Sequence, residues 1–366
     1  VVRPSYVLGG RAMAIVYDQT SLDRYVTEAV DASPERPILI DRFLEDAFEL
    51  DVDAVADASG AVVIGGIMEH IEEAGIHSGD SSCVVPPYLV EERHLTTIRD
   101  YTRRIARALK VVGLMNIQFA IKDETVYVLE VNPRGSRTIP FISKVTGVPM
   151  VKLAIGVMLG KTLEEMGFNG GLYKRQNIVA IKAPVFSMSK LTGVDWYLGP
   201  EMKSTGEVMG VDHHFQAALA KALVAADMIV HPGDSILISV ADRDKPESVS
   251  LARDLQQAGC TLYATEGTAT MLQALSIPVT MITKKLGEGH PNAVDVINQG
   301  LVKVVVNTVS EAASTLRDGF AIRRAAVERR IPCFTSLDTA RAAVESALME
   351  PANYNIKHTY EYLKGS

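Results

Sequence analysis

From about residue 228 to the end of the chain, short apolar runs of strand character alternate strictly with helical segments, and this alternation constrains the fold most tightly. Strands joined by helices pair in parallel, and the helices then cover both faces of the sheet. Strands are predicted at 236–240, 261–264, 279–282, 303–306 and 333–336, with helices at 247–258, 268–275, 292–298, 317–328 and 339–349. We therefore expect a doubly wound parallel-sheet α/β domain at residues 228–366.

Ligands of doubly wound sheets bind outside the carboxyl ends of the strands, and in this sequence those ends carry groups that suit an anion. Thr265 and Thr268 open the helix after the second strand, where backbone N–H groups and two hydroxyls could hold a phosphate. Alternatively, these threonines are only the caps of a helix. The other polar side chains that follow strands are Lys245, Lys284, Lys285, Asn307 and Ser310.

Residues 1–160 have a different pattern, in which short strands and glycine-containing turns dominate and helices are predicted at 21–32, 91–109 and 149–159. This order predicts an α+β module. Residues 161–227 have weaker periodicity, apart from an alanine-rich helix at 215–226 and the segment GPEMKSTGEVMG at 199–210. We interpret them as a connector packed on the first module.

A predicted β-hairpin in the first module carries three oxygen-bearing side chains. Two apolar runs flank the polar turn 122–125, with Gln118 on the first run and Glu130 and Asn132 on the second. Because side chains two residues apart share one face of a strand, the three can converge on one point. Hard oxygen ligands that leave positions open suit Mg²⁺ or Mn²⁺ held jointly with nucleotide phosphates.

Two arginines, Arg134 and Arg137, follow this hairpin directly. Guanidinium groups beside a carboxylate-bound metal can clamp a phosphoryl group and neutralise its charge. A Glu-x-Asn pair by itself is most often a solvated strand face, so the metal hypothesis depends on the combination with Gln118 and the arginines.

Composition excludes two classes of function and bounds the size. The net charge of −7, without a long Lys/Arg run, argues against a nucleic-acid binder, and 366 residues suffice for two domains. No apolar stretch approaches the roughly 20 residues that span a bilayer, so we expect no membrane partner and a cytoplasmic protein. Three widely spaced cysteines favour a reduced compartment. Since Val1 is not an initiator methionine, we expect a segment of a longer protein.

The motif RPSYVLGG at residues 3–10, the motif GGIMEHIEEAGIHSGDS at 65–81 and the hairpin triad closely resemble the carbamoyl phosphate synthetase large-subunit family. The resemblance covers nearly the whole chain and is to the C-terminal part of that subunit. It implies a partial ATP-grasp fold at 1–160 that lacks its N-terminal subdomain, followed after the connector at 161–227 by a methylglyoxal-synthase-like allosteric domain at 228–366. In the family, this ATP-grasp module phosphorylates carbamate with MgATP to give carbamoyl phosphate for pyrimidine and arginine biosynthesis.

The resemblance also implies roles for individual residues. The metal ligands would be Gln118, Glu130 and Asn132, and the phosphoryl and carbamate ligands would be Arg3, Arg134 and Arg137. Nucleotide contacts would come from Arg3, Gly9, Gly10, Arg42, Leu44, Glu49, Gly75, Ile76, His77, Ser78, Gln118 and Glu130. A monovalent cation would lie near Glu49, His70 and Ser78. A nucleotide effector would be held by Lys245, Thr265, Thr268, Lys284 and Asn307.

The expected cofactors and partners follow from the same resemblance. They are ATP, about two Mg²⁺ or Mn²⁺ ions at the ATP site, and K⁺. A glutaminase small subunit would bind through the N-terminal half of the large subunit, which this chain does not contain. Carbamate would be the substrate and a nucleotide monophosphate such as UMP the effector, in an oligomeric enzyme. Because part of the nucleotide cleft is missing, we expect the isolated segment to be inactive.

The sequence departs from the family at two effector positions. Ornithine-regulated members carry a Glu near the position of Ala180 and a Tyr-Asp-Thr run where this chain has Cys333-Phe334-Thr335, although Glu72 and Asp80 remain. We therefore expect no activation by ornithine. Val309 replaces a hydroxyl in the nucleotide site, which leaves the choice of effector open.

Three alternative functions remain at this point. The polypeptide could be a nucleotide-sensing regulatory module without catalysis. It could carry a working methylglyoxal synthase, with Glu266 or Asp242 as the base, but the Asp- and His-containing signature of that family is not evident. It could be another ATP-grasp ligase such as a biotin-dependent carboxylase, which would share the metal triad but not the long EHIEEAGIHSGDS match.

Overall fold

The computed structural model describes residues 1–5, 9–32, 37–173, 177–187, 197–284, 289–308, 313–348 and 356–364. Residues 6–8 of the RPSYVLGG motif, together with Lys285, Val309 and Ser310, lie outside these ranges. Near the N terminus, strands β1 (Val2–Pro4) and β2 (Ile38–Ile40) pair antiparallel, and helix α1 (Gln19–Ala32) lies between them in sequence.

An eight-stranded sheet organises the first part of the chain. Its strands are β3 (Phe48–Ala56), β4 (Val62–His70), β5 (Cys83–Val85), β6 (Gly113–Lys122), β7 (Thr125–Asn132), β8 (Gly171–Leu172), β9 (Val179–Val185) and β10 (Gly206–Asp212). The order is β10-β9-β5-β4-β3-β6-β7, with β8 pairing parallel to β4 and all other pairs antiparallel. The 161–227 segment therefore contributes β8, β9 and β10 to the sheet itself.

Helices cover both faces of this sheet. They are α2 (Glu92–Ala108), α3 (Ile139–Thr146), α4 (Met150–Met158) and, near the far edge, α5 (Phe215–Ala225). Leu50 and Val52 of β3 belong to the core with Ile98 of α2, whereas Val63 and Met68 of β4 pack with α3 and α4. Because strand side chains alternate between faces, the polar residues at 49, 51 and 53 of β3 lie on the face opposite α2.

Helices α3 and α4 approach β4 closely. A Cβ atom on Gly65 would lie 2.5 Å from Met150 Sδ, and one on Gly66 would lie 2.6 Å from Ile142 Cδ1. Only glycine leaves room for this contact. Among the described residues no single helix is long and apolar enough to cross a membrane; the pair α3 and α4 passes that test only jointly and is bent by 112°.

The second part of the chain forms a five-stranded, wholly parallel sheet. The elements are β11 (Ser235–Ser239), α6 (Lys245–Gln257), β12 (Thr261–Thr265), α7 (Glu266–Ala274), β13 (Thr280–Ile282), α8 (Ala293–Asn298), β14 (Val304–Asn307), α9 (Ala313–Glu328), β15 (Cys333–Phe334) and α10 (Leu337–Ala347), with α11 (Thr359–Lys364) near the C terminus. The strand order is β13-β12-β11-β14-β15. The predicted doubly wound fold is confirmed, and its order reverses between β11 and β14.

Alternation along β11 divides the core of this second sheet. Ile236 and Ile238 pack with α6, α7 and α10, whereas Leu237 packs with α8 and α9 on the other face. Leu219 of α5 and Ile181 of β9 belong to the first of these clusters. Helix α5 therefore lies between the two sheets and joins them in one continuous core.

The sequence did not predict α3 or the strands of the 161–227 segment, for physical reasons. Helix α3 is short, with Pro140 in its first turn. Strand β9 is buried along both faces of its central residues, so it shows no alternation between apolar and polar positions.

Candidate functional site

The hairpin β6–β7 brings the three predicted metal ligands together. A two-residue turn, Asp123 and Glu124, joins the strands with φ of 46° and 64°, as tight hairpin turns require. Gln118 lies directly opposite Glu130, and the register places Asn132 two residues further along the same face. The register therefore places the three side chains on one face of the hairpin, and their role as metal ligands stays a prediction. Two amides and one exposed carboxylate form an oxygen-only donor set that fits a hard divalent cation.

The guanidinium of Arg134 extends this cluster. Asn132 Nδ2 donates to Glu130 Oε1 at 2.6 Å, and Arg134 NH2 donates to Asn132 Oδ1 at 3.2 Å. Glu130 and Arg137 both act electrostatically on His77, whose pKa burial lowers. Carboxylate, guanidinium and imidazole groups therefore interact electrostatically in this part of the molecule.

A loop at residues 75–80, which follows β4, covers the same face of the sheet. Gly75 N donates to Glu49 Oε1 at 3.0 Å, and Gln118 Nε2 donates to Ser78 Oγ at 2.8 Å. Lys182, which is fully buried, donates from Nζ to Ser78 O at 2.9 Å. The structure thus brings Ser78 into contact with Gln118 of the predicted triad and Gly75 into contact with Glu49. The nucleotide roles of Glu49, Gly75, Ile76, His77 and Ser78 stay predictions.

A buried ion pair supports the loop from beneath. His70 Nε2 lies 3.1 Å from Asp51 Oδ2, and His70 Nδ1 lies 3.6 Å from Glu49 Oε2. Burial disfavours the imidazolium, but Cys83 and the bond to Asp51 outweigh it and hold the pKa of His70 well above its usual value. The predicted monovalent-cation site at Glu49, His70 and Ser78 stays a prediction.

The segment 199–206, which we call the strap, connects several parts of the site. The Asp80 carboxylate accepts from Lys203 N at 2.8 Å and Ser204 N at 2.7 Å. Arg137 NH1 donates to Ser204 O at 3.2 Å, and Arg137 NH2 donates to Gly206 O at 3.1 Å. The strap therefore ties Arg137 to the 75–80 loop.

The strap also contacts Gly9 and Gly10, the predicted nucleotide-binding residues at the end of the RPSYVLGG motif. Met202 N donates to Gly9 O at 3.0 Å. Gly10 has φ of +69°, and a Cβ there would lie 2.1 Å from Pro200 O. Sequence reasoning noted the 199–210 segment but assigned it no role; its short polar residues between glycines were the available signal.

The remaining predicted residues of this site lie on the N-terminal pair of strands. Arg3 NH1 forms an ion pair with Asp41 Oδ2 at 3.1 Å, and Arg3 is not seen in contact with the triad among the described residues. Arg42 and Leu44 flank Phe43, whose ring would lie 2.9 Å from a Cβ on Gly75. Their nucleotide role stays a prediction, and this contact places them beside the 75–80 loop.

The second sheet gathers the predicted effector ligands at the carboxyl ends of its strands. Thr265 and Thr268 are buried at the start of α7, and Thr265 Oγ1 donates to Ser239 Oγ at 3.1 Å. A Cβ on Gly267 would lie 2.9 Å from Lys245 Nζ, so this ammonium lies at the start of α7. Burial lowers the pKa of Lys284, whose backbone N donates to Glu266 Oε2 at 3.0 Å.

Asn307 lies at the point where the strand order reverses. Its Nδ2 donates to Ser239 O at 2.9 Å, and its Oδ1 accepts from NH1 of the buried Arg323 at 2.8 Å. The side-chain amide thus links β11 to β14 and α9. Lys245, Thr265, Thr268, Lys284 and Asn307 are brought to one edge of the sheet, where the helix N terminus and two ammonium groups suit an anion.

A cavity of about 360 Å³ lies between the two sheets. Glu72, Asp80 and Thr335 line it together with Phe334 and other apolar side chains. Glu72 Oε1 accepts from Thr339 Oγ1 of α10 at 3.1 Å, and burial raises the pKa of Glu72. This hydrogen bond joins the loop above the first sheet to the second sheet.

Comparisons with known proteins identify both parts of the chain. The family model "Carbamoyl-phosphate synthase L chain, ATP binding domain" matches residues 1–166, and the "MGS-like domain" model matches residues 247–335. The carbamoyl phosphate synthase large chain of Thermomicrobium roseum is 52% identical over 98% of this chain and 33% of its own length. The C-terminal section of the same large chain from Methanopyrus kandleri is 50% identical over 94% of this chain and 65% of its own length.

The chain thus spans about a third of the length of the T. roseum protein. Among solved structures, the biotin carboxylase β,γ-ATP complex from Campylobacter jejuni aligns with 61% of this chain and 56% of its own at 17% identity and a TM-score of 0.49. That likeness is too distant to support a functional argument.

Proposed function

The chain belongs to the carbamoyl phosphate synthase large-chain family through its two matched domains, and on this premise we propose that it forms the carbamate-phosphorylating and allosteric part of a glutamine-dependent enzyme. The first module would transfer the γ-phosphoryl group of ATP to carbamate. The second would bind a nucleotide effector, and the glutaminase subunit would bind elsewhere on the longer protein. Pyrimidine and arginine biosynthesis would consume the product.

The observation that carries the proposal is the convergence of Gln118, Glu130 and Asn132 with Arg134 and Arg137 beneath the 75–80 loop. The side chains that could act as nucleophiles here, such as Ser78, are already engaged in support of the loop. A reaction in which one bound substrate attacks another requires placement and charge neutralisation instead.

The chain's own residues would perform this placement. A carbamate oxygen would form a bond to the γ-phosphorus while the bond to the bridging oxygen breaks and ADP leaves with that electron pair. Gln118, Glu130 and Asn132 would hold the divalent cations, which when bound neutralise phosphate charge. Arg134 and Arg137 would neutralise the charge of the transferred group, while the paired N–H donors of Arg137 hold the strap at Ser204 and Gly206. The strap and the 75–80 loop would close the site against water.

For regulation, the anion-binding edge of the second sheet would take a nucleotide monophosphate such as UMP. The N terminus of α7 and the ammonium groups of Lys245 and Lys284 supply the positive charge. Effector binding could reach the first module through α5 and the Glu72–Thr339 hydrogen bond, because both join the two sheets.

The test is ATP formation from MgADP and carbamoyl phosphate by the full-length protein that contains this segment. Glu130→Gln should abolish the reaction, since the carboxylate is the only anionic ligand of the triad. The control is Glu124→Gln, which changes a carboxylate in the turn of the same hairpin and should leave the rate unchanged. Turnover retained in Glu130→Gln would remove the metal assignment.

The regulatory module without catalysis is the second candidate, and the phosphate-binding edge of the second sheet favours it. Under this alternative the wild-type protein would form no ATP but would still bind UMP. Activity that depends on Glu130 would exclude it.

A further inference from the structure

Asp53 is a fully buried aspartate that the proposed reaction does not use. It lies on β3, opposite Asn116 of β6, on the same face as Asp51. Asn116 in turn lies opposite Asn132, the last ligand of the triad. Burying a carboxylate costs free energy unless hydrogen-bond donors surround it. The donors to Asp53 therefore indicate its role.

Two of the three donors to Asp53 come from the arginine loop at residues 134–138. Ser136 Oγ donates to Asp53 Oδ1 at 2.7 Å, and Thr138 Oγ1 donates to Asp53 Oδ2 at 2.5 Å. Asn116 Nδ2 is the third donor, at 3.1 Å from Asp53 Oδ1. The two hydroxyls also lie 2.8 Å from each other.

The two hydroxyl donors, Ser136 and Thr138, flank Arg137 on both sides in the sequence. Because each hydroxyl is one bond from its own Cβ, holding Ser136 and Thr138 fixes the backbone from which the Arg137 side chain projects. Thr138 is also the N-cap residue, directly before α3 begins at Ile139. The same carboxylate therefore sets where the loop leaves the hairpin and where the helix starts.

We infer that Asp53 is a positioning residue for the phosphoryl-binding arginines, acting through Ser136 and Thr138; this rests on the proposed function of that site. Among the described residues, the hydrogen bonds of the carboxylate go to Asn116, Ser136 and Thr138. It holds the loop in one conformation, and loss of that hold would misplace Arg137 without removing it.

The groups facing Asp53 agree with this role. They are Asp51 on its own strand, Asn116 on β6, and the hydroxyls of Ser136 and Thr138. Burial and the charge of Asp51 raise the pKa of Asp53, and the three donors lower it, to a net value of about 6. The donors therefore keep Asp53 ionised at neutral pH, so that its two oxygens can accept hydrogen bonds from both hydroxyls.

The experiment compares Asp53→Ala with Asp57→Ala in the full-length protein. Asp57 is a buried aspartate just after β3 whose carboxylate accepts from Ser59, Ala61 and Leu163, away from the arginine loop. We expect Asp53→Ala to lower kcat for ATP formation by about 100-fold, the scale of a misplaced group, with little change in KM for MgADP. We expect Asp57→Ala to leave kcat unchanged.

A second pair of variants separates the hydroxyl from the bulk of the side chain. Thr138→Ser keeps the donor to Asp53 and should retain activity, whereas Thr138→Val keeps the shape and should lose activity as Asp53→Ala does. Equal kinetics in these two variants would overturn the inference.

Hydrogen exchange gives a readout that does not depend on turnover. Amides of residues 134–138 should exchange faster in Asp53→Ala than in the wild type, and those of residues 57–61 should not. If the wild type forms no ATP, the proposed function fails while the exchange data still test the inference. Unchanged exchange at 134–138 would overturn it.

Discussion

The pH dependence of stability at Asp53 gives the most quantitative prediction. The pKa of Asp53 is raised from 3.8 to about 6 in the folded protein. A carboxyl group with a raised pKa favours folding when it is protonated, so this contribution is complete below 3.8 and is lost as pH rises through 6. Across this whole pH range the unfolding free energy falls by about 3 kcal/mol, at 1.36 kcal/mol per pKa unit.

Asp53→Asn removes this titration and keeps the shape of the side chain. Between pH 5 and pH 8, linkage predicts that the unfolding free energy of the wild type falls by about 1.4 kcal/mol relative to that of Asp53→Asn. Comparing the two proteins at each pH cancels the titration of groups that do not interact with Asp53.

Native-state hydrogen exchange of amides in β3 and β6 is the appropriate assay, because it reports the opening free energy of this sheet separately from the second one. Asp57→Asn is the control. Burial raises the pKa of Asp57, but hydrogen bonds from Ser59 and Leu163 outweigh burial and lower the pKa below its usual value. The contribution of Asp57 to the unfolding free energy is therefore lost only as pH falls below the usual pKa of an aspartate. The difference in opening free energy between Asp57→Asn and the wild type should be constant from pH 5 to 8. A constant difference between Asp53→Asn and the wild type as well would refute the reasoning.

Three further predictions follow from the two sites. Lys284→Ala should weaken UMP binding by about tenfold, since the variant removes one charge from the anion site, whereas Lys303→Ala, at the opposite end of the sheet, should not; isothermal titration measures both. Asp80→Asn should weaken the hold on the strap, raising the protease sensitivity of residues 199–206 in a limited-proteolysis time course; an unchanged cleavage rate would contradict this. Arg137→Lys should lower kcat by about 10–100-fold while sparing KM for MgADP, because an ammonium cannot reproduce the paired donors; a change confined to KM would contradict the assignment.

The strands and helices of the second sheet were largely predictable because each is specified by the apolar pattern of its own residues. Each strand and helix has its own period of apolar residues, and the observed bounds of α6 and β12 differ from the predicted ones by one or two residues. The order β13-β12-β11-β14-β15 was not predictable at this level, because alternation requires parallel pairing without saying which strands are neighbours. That order places Asn307 beside Ser239.

The sequence by itself determined that the three predicted metal ligands share one face of a hairpin. Gln118, Glu130 and Asn132 belong to one hairpin, whose tight turn sets the register, so period-two spacing suffices to bring them together. Only the tertiary structure decided what surrounds them. Asp53 meets Ser136 across 83 residues, and Asp80 meets Ser204 across 124. Contacts at such separations depend on how sheets and helices pack, and no local period of the sequence records them.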